Sequence, residues 1–290
     1  MKIDDGLRKG GLMFNKIIFM VVNVILLILI IGFIFGIFGG SPNQNPGSTE
    51  DSFREGSDSA YFAKGDKYIG WKKGENSYDS SKYPREIKAA EGWGKNDERE
   101  KGIGKEFASG WGAALYWPTR GDDGAAYVFK GERYIRWDIA SDERDLGPEE
   151  IAGSDEWGEF ESNADAAVYW PTRGKVYFFK GDSYSQWDVN SGNQDFKGEN
   201  IESGWGPKWG RRNNKRGMPE RFTENLDAAV YLPDTGEGGS DKIYIFKGNE
   251  YVRWDVERKS MDKGYPKNIN TEGGWPGLWN NLDAALYWPG

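Results

Sequence analysis

Between Lys208 and Arg221 the chain gathers six basic side chains, Lys208, Arg211, Arg212, Lys215, Arg216 and Arg221, within a protein of formal charge −8. A cluster of this kind can hold a phosphate, a sulfated glycan or lipid headgroups. The competing reading is a solvated loop that balances nearby carboxylates. Two further turns, Trp117-Pro118-Thr119-Arg120-Gly121 and Trp170-Pro171-Thr172-Arg173-Gly174, each set an indole beside a guanidinium. An exposed Trp next to an Arg can stack on a sugar or an aromatic ligand. Duplication of one structural unit would explain the same pair without a ligand.

Much chemistry is missing from the inventory. The 290 residues include no Cys and no His. Disulfides, thiolate nucleophiles and Cys-ligated metals are therefore excluded. So are Ser-His-Asp triads, His-ligated haem and the ordinary general base near neutral pH. With 46 Asp and Glu, a carboxylate-pair hydrolase survives as a possibility by inventory, but no pair stands out from the turn acids. The acidic balance argues against bulk nucleic-acid binding. No N-x-Ser/Thr acceptor occurs, which disfavours a glycosylated eukaryotic ectodomain.

The elements that must position these groups repeat. Four hairpin signatures read Tyr61-Phe62-Ala63-Lys64-Gly65 to Trp71, Tyr127-Val128-Phe129-Lys130-Gly131 to Asp138, Tyr177-Phe178-Phe179-Lys180-Gly181 to Asp188, and Tyr244-Ile245-Phe246-Lys247-Gly248 to Asp255. Each is an aromatic strand, a Lys-Gly turn and a second strand with Tyr and then Trp three residues on. A small-residue strand precedes three of them and recurs near residue 290: Gly112-Ala113-Ala114-Leu115-Tyr116-Trp117, Asp165-Ala166-Ala167-Val168-Tyr169-Trp170, Asp227-Ala228-Ala229-Val230-Tyr231-Leu232 and Asp283-Ala284-Ala285-Leu286-Tyr287-Trp288. Paired Ala suit a crowded place where strands converge on an axis, and the following Pro ends each strand.

After each hairpin comes an Ile that leads to a Trp: Tyr83-Pro84 and Ile87 to Trp93, Pro148 and Ile151 to Trp157, Ile201 to Trp205, and Tyr265-Pro266 and Ile269 to Trp275. This reads as a short helical or irregular turn and then an outer strand. Units of this length stack radially or as a solenoid. All 14 Trp fall within them, so most are expected in the repeat core.

The first hairpin has no small-residue strand before it, and Asp283 to Trp288 has no hairpin after it. The counts match only if this last strand joins the first unit. The expected fold is therefore all-β, a four-bladed propeller whose C-terminal strand closes the first blade, since closure removes open sheet edges.

The combination of small inner strand, Phe-Lys-Gly hairpin, Tyr-Pro-x-x-Ile and closing Trp-Gly resembles the hemopexin repeat over about Asp58 to Gly290. That resemblance implies a central tunnel lined by inner-strand carbonyls, which in the family often holds calcium, sodium or chloride. By position the candidates are Gly112, Asp165, Asp227 and Asp283. Oxygen donors converging on one axis suit a hard cation, calcium foremost. Capping of turns by the same Asp side chains, with no ion, is the alternative. Haem transport in the family uses two His, so that mode is excluded here. The animal protease members join first and last blades by a disulfide; here strand pairing alone must close the ring.

Residues 17–38 form an apolar run long enough to span a bilayer as a helix of about 33 Å. An uncleaved anchor is the expectation, with secretion after signal cleavage as the alternative. Lys2, Arg8, Lys9 and Lys16 precede the run, which predicts a cytoplasmic segment 1–16 and an extracytoplasmic remainder of net charge −10. Gly32, Gly36 and Gly40 have the spacing of a helix–helix contact, hence a possible homodimer. Residues 39–57 read as a polar, flexible linker to the propeller at 58–290. Together these features predict a single-pass membrane protein that is no enzyme and that presents a rigid propeller to a protein, glycan or small ligand. The runner-up is a carrier of non-His haem, a polyamine or a tunnel cation.

Overall fold

The computed structural model describes residues 59–289 apart from 76, 90–91, 95–99, 122, 155–156, 158–162, 234–239 and 272–273. The apolar run 17–38, its Gly32, Gly36 and Gly40, and the linker 39–57 lie outside the described residues. Among the described residues, no helix is long and apolar enough to cross a membrane.

Four antiparallel sheets form the four blades. Blade 2 is β4 (Ala113–Trp117), β5 (Ala125–Lys130), β6 (Arg133–Asp138) and β7 (Glu143–Glu150), paired in that order. Blade 3 repeats it with β8 (Ala166–Trp170), β9 (Lys175–Lys180), β10 (Ser183–Asp188) and β11 (Gln194–Asn200). Blade 4 has β12 (Ala228–Leu232), β13 (Lys242–Lys247) and β14 (Glu250–Asp255), against which both β15 (Ser260–Met261) and β16 (Lys267–Asn268) pair. Blade 1 is composite. Its inner strand is β17 (Ala284–Trp288), followed by β1 (Ser59–Lys64), β2 (Lys67–Lys72) and β3 (Arg85–Glu86). The register runs from Ser59 opposite Trp288 to Ala63 opposite Ala284, so the last strand closes the ring as the repeat count requires.

The Lys-Gly pair holds every blade in two ways, and blades 1, 2 and 4 in a third. The Gly of every turn, at 65, 131, 181 and 248, has φ near +60°, a left-handed conformation that a side chain would resist. Its carbonyl accepts an amide hydrogen from the loop entering the next blade: Gly110 to Gly65, Asn163 to Gly131, Asn225 to Gly181 and Asn281 to Gly248, at 2.8–2.9 Å. The Lys reaches a carbonyl in the loop entering its own blade. Lys130 donates to Ser109 at 2.6 Å, Lys247 to Glu224 at 2.5 Å, and Lys64 to Asn280. One short motif thus closes a hairpin and links it to its neighbours.

The core lies between blades. Each of four apolar clusters joins two adjacent blades and centres on the Trp that follows the repeat's Ile. Trp93 packs 4.9 Å from Trp137 and 5.6 Å from Trp288, and Trp205 packs 5.3 Å from Trp170 and 5.0 Å from Trp254. Edge-to-face and tilted contacts at these separations add to the burial of large rings. Only Trp209 and Trp279 keep substantial exposure among the 14 Trp.

The order within the third element differs from the expectation. The outer strand comes first: β7 contains Pro148, and β3 follows Pro84 directly. The Ile then donates its amide to the hairpin turn, Ile87 to Asp66, Ile151 to Glu132, Ile201 to Asp182 and Ile269 to Asn249. The Trp lies in the interblade core and in no strand, because a bulky indole there fills the wedge between two diverging sheets.

Candidate functional site

The inner-strand Asp residues face the hairpin turns. Asp165 accepts the amide hydrogen of Gly181, Asp227 that of Gly248 and Asp283 that of Gly65, each at 2.7 Å. Burial pushes the Asp227 carboxyl above its ordinary range although the Gly248 amide opposes this. The equivalent Gly112 has no carboxylate, and a Cβ there would meet the carbonyl oxygen of Ala164 at 2.8 Å. Among the described residues no three acidic side chains converge on a point that could hold a metal. The tunnel between the inner strands narrows to a void of about 10 Å³, ringed by Tyr116, Tyr169, Tyr231 and Tyr287 with the Leu, Val and Ala beside them. That is close to the space one water needs.

The two Trp-Pro-Thr-Arg turns are alike, but not as exposed aromatic platforms. Trp117 and Trp170 are 0% and 2% exposed. Their indole N–H groups donate to Thr119 at 3.1 Å and Thr172 at 2.9 Å. Arg120 and Arg173 cover the rings, with guanidinium carbons 5.3 and 4.5 Å from the ring centres. The exposure expected of these Trp is therefore corrected: the adjacent blade takes the ring, and Arg is the outer layer.

Two short helices lie between blades 3 and 4: α1 (Ile201–Gly204), at the repeat's Ile, and α2 (Pro207–Asn213), which carries the first half of the basic insertion. Asn214 ends α2 in a left-handed conformation with φ 50°, and the chain turns back toward Trp205, where the Met218 amide donates to the Trp205 carbonyl at 2.8 Å. Gly217 makes this possible, since a Cβ would fall within the van der Waals shell of the Gly206 carbonyl oxygen.

The six basic residues divide by partner. Lys208 pairs with Glu202 at 2.9 Å, and Arg221 forms a two-armed pair with Glu250 at 2.8 and 3.0 Å. Arg212 donates to the Ser203 carbonyl. Lys215 donates to the Arg258 carbonyl at 2.5 Å and Arg216 to the Met261 carbonyl at 3.0 Å. Arg211, Lys215 and Arg216 have no carboxylate partner among the described residues, and all three line an open cleft of about 1150 Å³. Arg258 and Tyr265 of blade 4 complete its walls, and no acidic residue contributes to them. Carbonyl contacts leave the charge of Lys215 and Arg216 uncompensated.

Arg258 and Tyr265 escape sequence inspection. They lie 37 and 44 positions beyond Arg221, and Arg258 is one of several charged residues in an ordinary turn. Only the approach of that turn to the insertion, where the Met261 amide donates to the Arg216 carbonyl at 2.8 Å, brings them to the same cleft.

Residues 226–280 match the Hemopexin family model. Matrix metalloproteinase-18 of Xenopus laevis is 36% identical over 74 residues, which is 26% of this chain and 14% of that protein. Interstitial collagenase of Sus scrofa is 44% identical over 63 residues, 22% of this chain and 12% of its own length. The chain thus matches only a small part of these curated relatives. A crystal structure of the hemopexin fold protein CP4 from cow pea superposes with a TM-score of 0.55 at 25% identity, covering 75% of this chain and 90% of that one. A 2S albumin seed protein from Dolichos shows the same fold, at TM-score 0.55 and 24% identity over 78% of this chain and 93% of its own. The family match within blade 4, the four blades built on one repeat and these fold neighbours together support the hemopexin-repeat family for this chain.

Proposed function

We propose that this protein is a non-catalytic binding module, held at a membrane by the apolar segment 17–38, whose propeller recognises an anionic glycan in the cleft beside α2. The observation that carries the reading is the cleft itself: Arg211, Lys215 and Arg216 line it with no carboxylate partner among the described residues, while Arg258 beside them pairs with Asp255 at 2.8 Å and Asp262 at 3.1 Å. Concentrated positive charge in a protein of net −8 favours an anion that can follow an open groove. Tyr265 lies in the same wall, with Arg253 and Lys267 over its ring at 5.0 and 5.1 Å. The cleft holds no side chain with the properties of a general base near neutral pH, in keeping with recognition without covalent chemistry.

The test is retention of the full chain, in detergent, on immobilised heparin. Retention that weakens as salt rises is expected, because screening acts on exposed charge. The triple variant R211Q/K215Q/R216Q should elute at markedly lower salt. Equal elution of variant and parent would sink the cleft reading. Alkaline extraction of membranes tests the anchor: the chain should stay with the lipid fraction, and its release would retire that part.

A further inference from the structure

The helix α2 separates two spaces. Gly210 and Arg211 line the open cleft, whereas Trp209 and Arg212 line a second, more enclosed cavity of about 410 Å³ on the blade 3 side. Its volume falls in the range of about 300–1,000 Å³ typical of small-molecule sites.

Tyr184, Phe196 and Trp209 are the half-buried rings at its wall, and the buried rings of Trp170, Trp205 and Trp254 stand behind them. Trp205 and Trp209 pack 5.0 and 5.2 Å from Trp254, so one ring cluster backs the cavity. The Trp254 indole N–H is buried, and it makes no hydrogen bond among the described residues. The Tyr184 hydroxyl likewise has no hydrogen-bond partner among them. Burial pushes this phenol up to about 12, so it stays protonated and able to donate.

Charge surrounds these rings. Arg173, Arg212 and Lys259 border the cavity against one carboxylate, Glu199, and none of the four forms an ion pair among the described residues. Arg173 is held over Trp170 and donates to the Tyr177 hydroxyl at 3.0 Å, while Arg212 is steadied by the Ser203 carbonyl. Both guanidiniums border the same cavity as the Tyr184 ring. Two arginines fixed by neutral partners keep donors free for a carboxylate.

The geometry points to a binding site for a small carboxylate carrying one or two rings, with the carboxylate between Arg173 and Arg212 and the ring against Tyr184 and Trp209. Glu199 remains available to accept a hydroxyl or ammonium hydrogen from the same ligand. This site does not depend on the glycan cleft, from which α2 divides it.

The full chain is titrated with indole-3-acetate and with D-glucuronate, and binding is followed by isothermal titration calorimetry, because an indole ligand emits where the protein's own Trp do. At least one should bind saturably with Kd below about 1 mM, and the pair distinguishes an aromatic ring from a sugar ring. The neutral counterparts, indole-3-acetamide and methyl glucoside, should bind about tenfold more weakly or worse. R173M and R212M should lose about tenfold or more, whereas K88M, at an exposed position of blade 1, should bind as the parent does. Binding of neither acid, equal binding of acid and neutral counterpart, or parental affinity in both arginine variants would overturn the proposal. The acid-against-neutral comparison uses the unaltered chain, so it decides the matter even where a variant fails to fold.

Discussion

Gly65 donates its amide hydrogen to the carboxylate of Asp283 at 2.7 Å, across 218 positions of chain. The first hairpin is thereby capped by the strand that completes its blade. In blades 3 and 4 the same cap joins residues only 16 and 21 positions apart. Chemically identical contacts therefore have different topological weight.

Asp283→Ala should destabilise the propeller by about 1–3 kcal/mol, the usual cost of removing a charged partner from a hydrogen bond. Deleting residues 281–290 should remove cooperative unfolding altogether, because β1 then faces an empty position beside it. Urea denaturation followed by Trp fluorescence distinguishes the two. An unchanged transition in the deletion would contradict closure by β17.

Lys242 and Lys175 occupy equivalent positions in blades 4 and 3, at very different depth. Lys242 is 0% exposed, in contact with Asp255 and 3.2 Å from Asp262. Lys175 is 23% exposed, 2.8 Å from both Asp188 and Asp195. Removing one member of a buried pair strands the other, so Lys242→Met should cost about 3–5 kcal/mol. Lys175→Met should cost under about 1 kcal/mol. Equal losses in parallel denaturation curves would refute the role given to burial.

Acid should weaken the propeller through its Trp-Asp turns. The Lys175 ammonium and the Ser191 amide hold the Asp188 carboxyl down to about 2. Burial pushes Asp255 up, but Lys242 and Arg258 outweigh it and keep the group below its ordinary value. A carboxyl depressed by folding stabilises the native state above its unfolded pKa near 4, and that contribution disappears as pH falls through the native value. The melting temperature should thus fall between about pH 4 and pH 2. Asp188→Asn should make this fall shallower, and an unchanged slope would exclude Asp188 as a contributor.

Gly217→Ala alters no charge, yet it places a methyl against the Gly206 carbonyl oxygen at the base of the insertion. The return of the chain to Trp205 should be displaced and the cleft distorted. Heparin retention should drop while the four-blade core, read by near-ultraviolet dichroism, persists. Retention equal to the parent would show that the cleft tolerates movement of its base.

The blades were readable because their determinants are local and repeated. Lys-Gly turns, paired Ala and Tyr-x-x-Trp strands recur in register, and the unmatched strand at Asp283 dictates closure. What lay beyond reach depends on neighbours distant in sequence. Nothing in Trp117-Pro118-Thr119-Arg120 tells that blade 3 receives the indole while Arg120 covers it. Turn capping by Asp165, Asp227 and Asp283 is one of two readings open in the sequence, and only the structure identifies the hairpin glycine amide as its donor. The basic insertion was visible as charge, but its division into paired, cleft-facing and cavity-facing residues follows from the way α2 stands between blades 3 and 4. The order of the outer strand and the Trp is not legible in the sequence because both are short, and because Pro inside β7 imitates a strand breaker.

The composite blade also sets a schedule. On a ribosome, β1 appears long before β17, and at about 5–20 residues per second the intervening 218 residues take roughly 10–40 s to emerge. Throughout that time the inner edge of β1 is open, with Tyr61, Phe62 and Ala63 awaiting their permanent partners Leu286, Ala285 and Ala284. The earliest blade to be synthesised is therefore the last to be completed, and any factor that protects the nascent chain has its most exposed client strand at Ser59–Lys64.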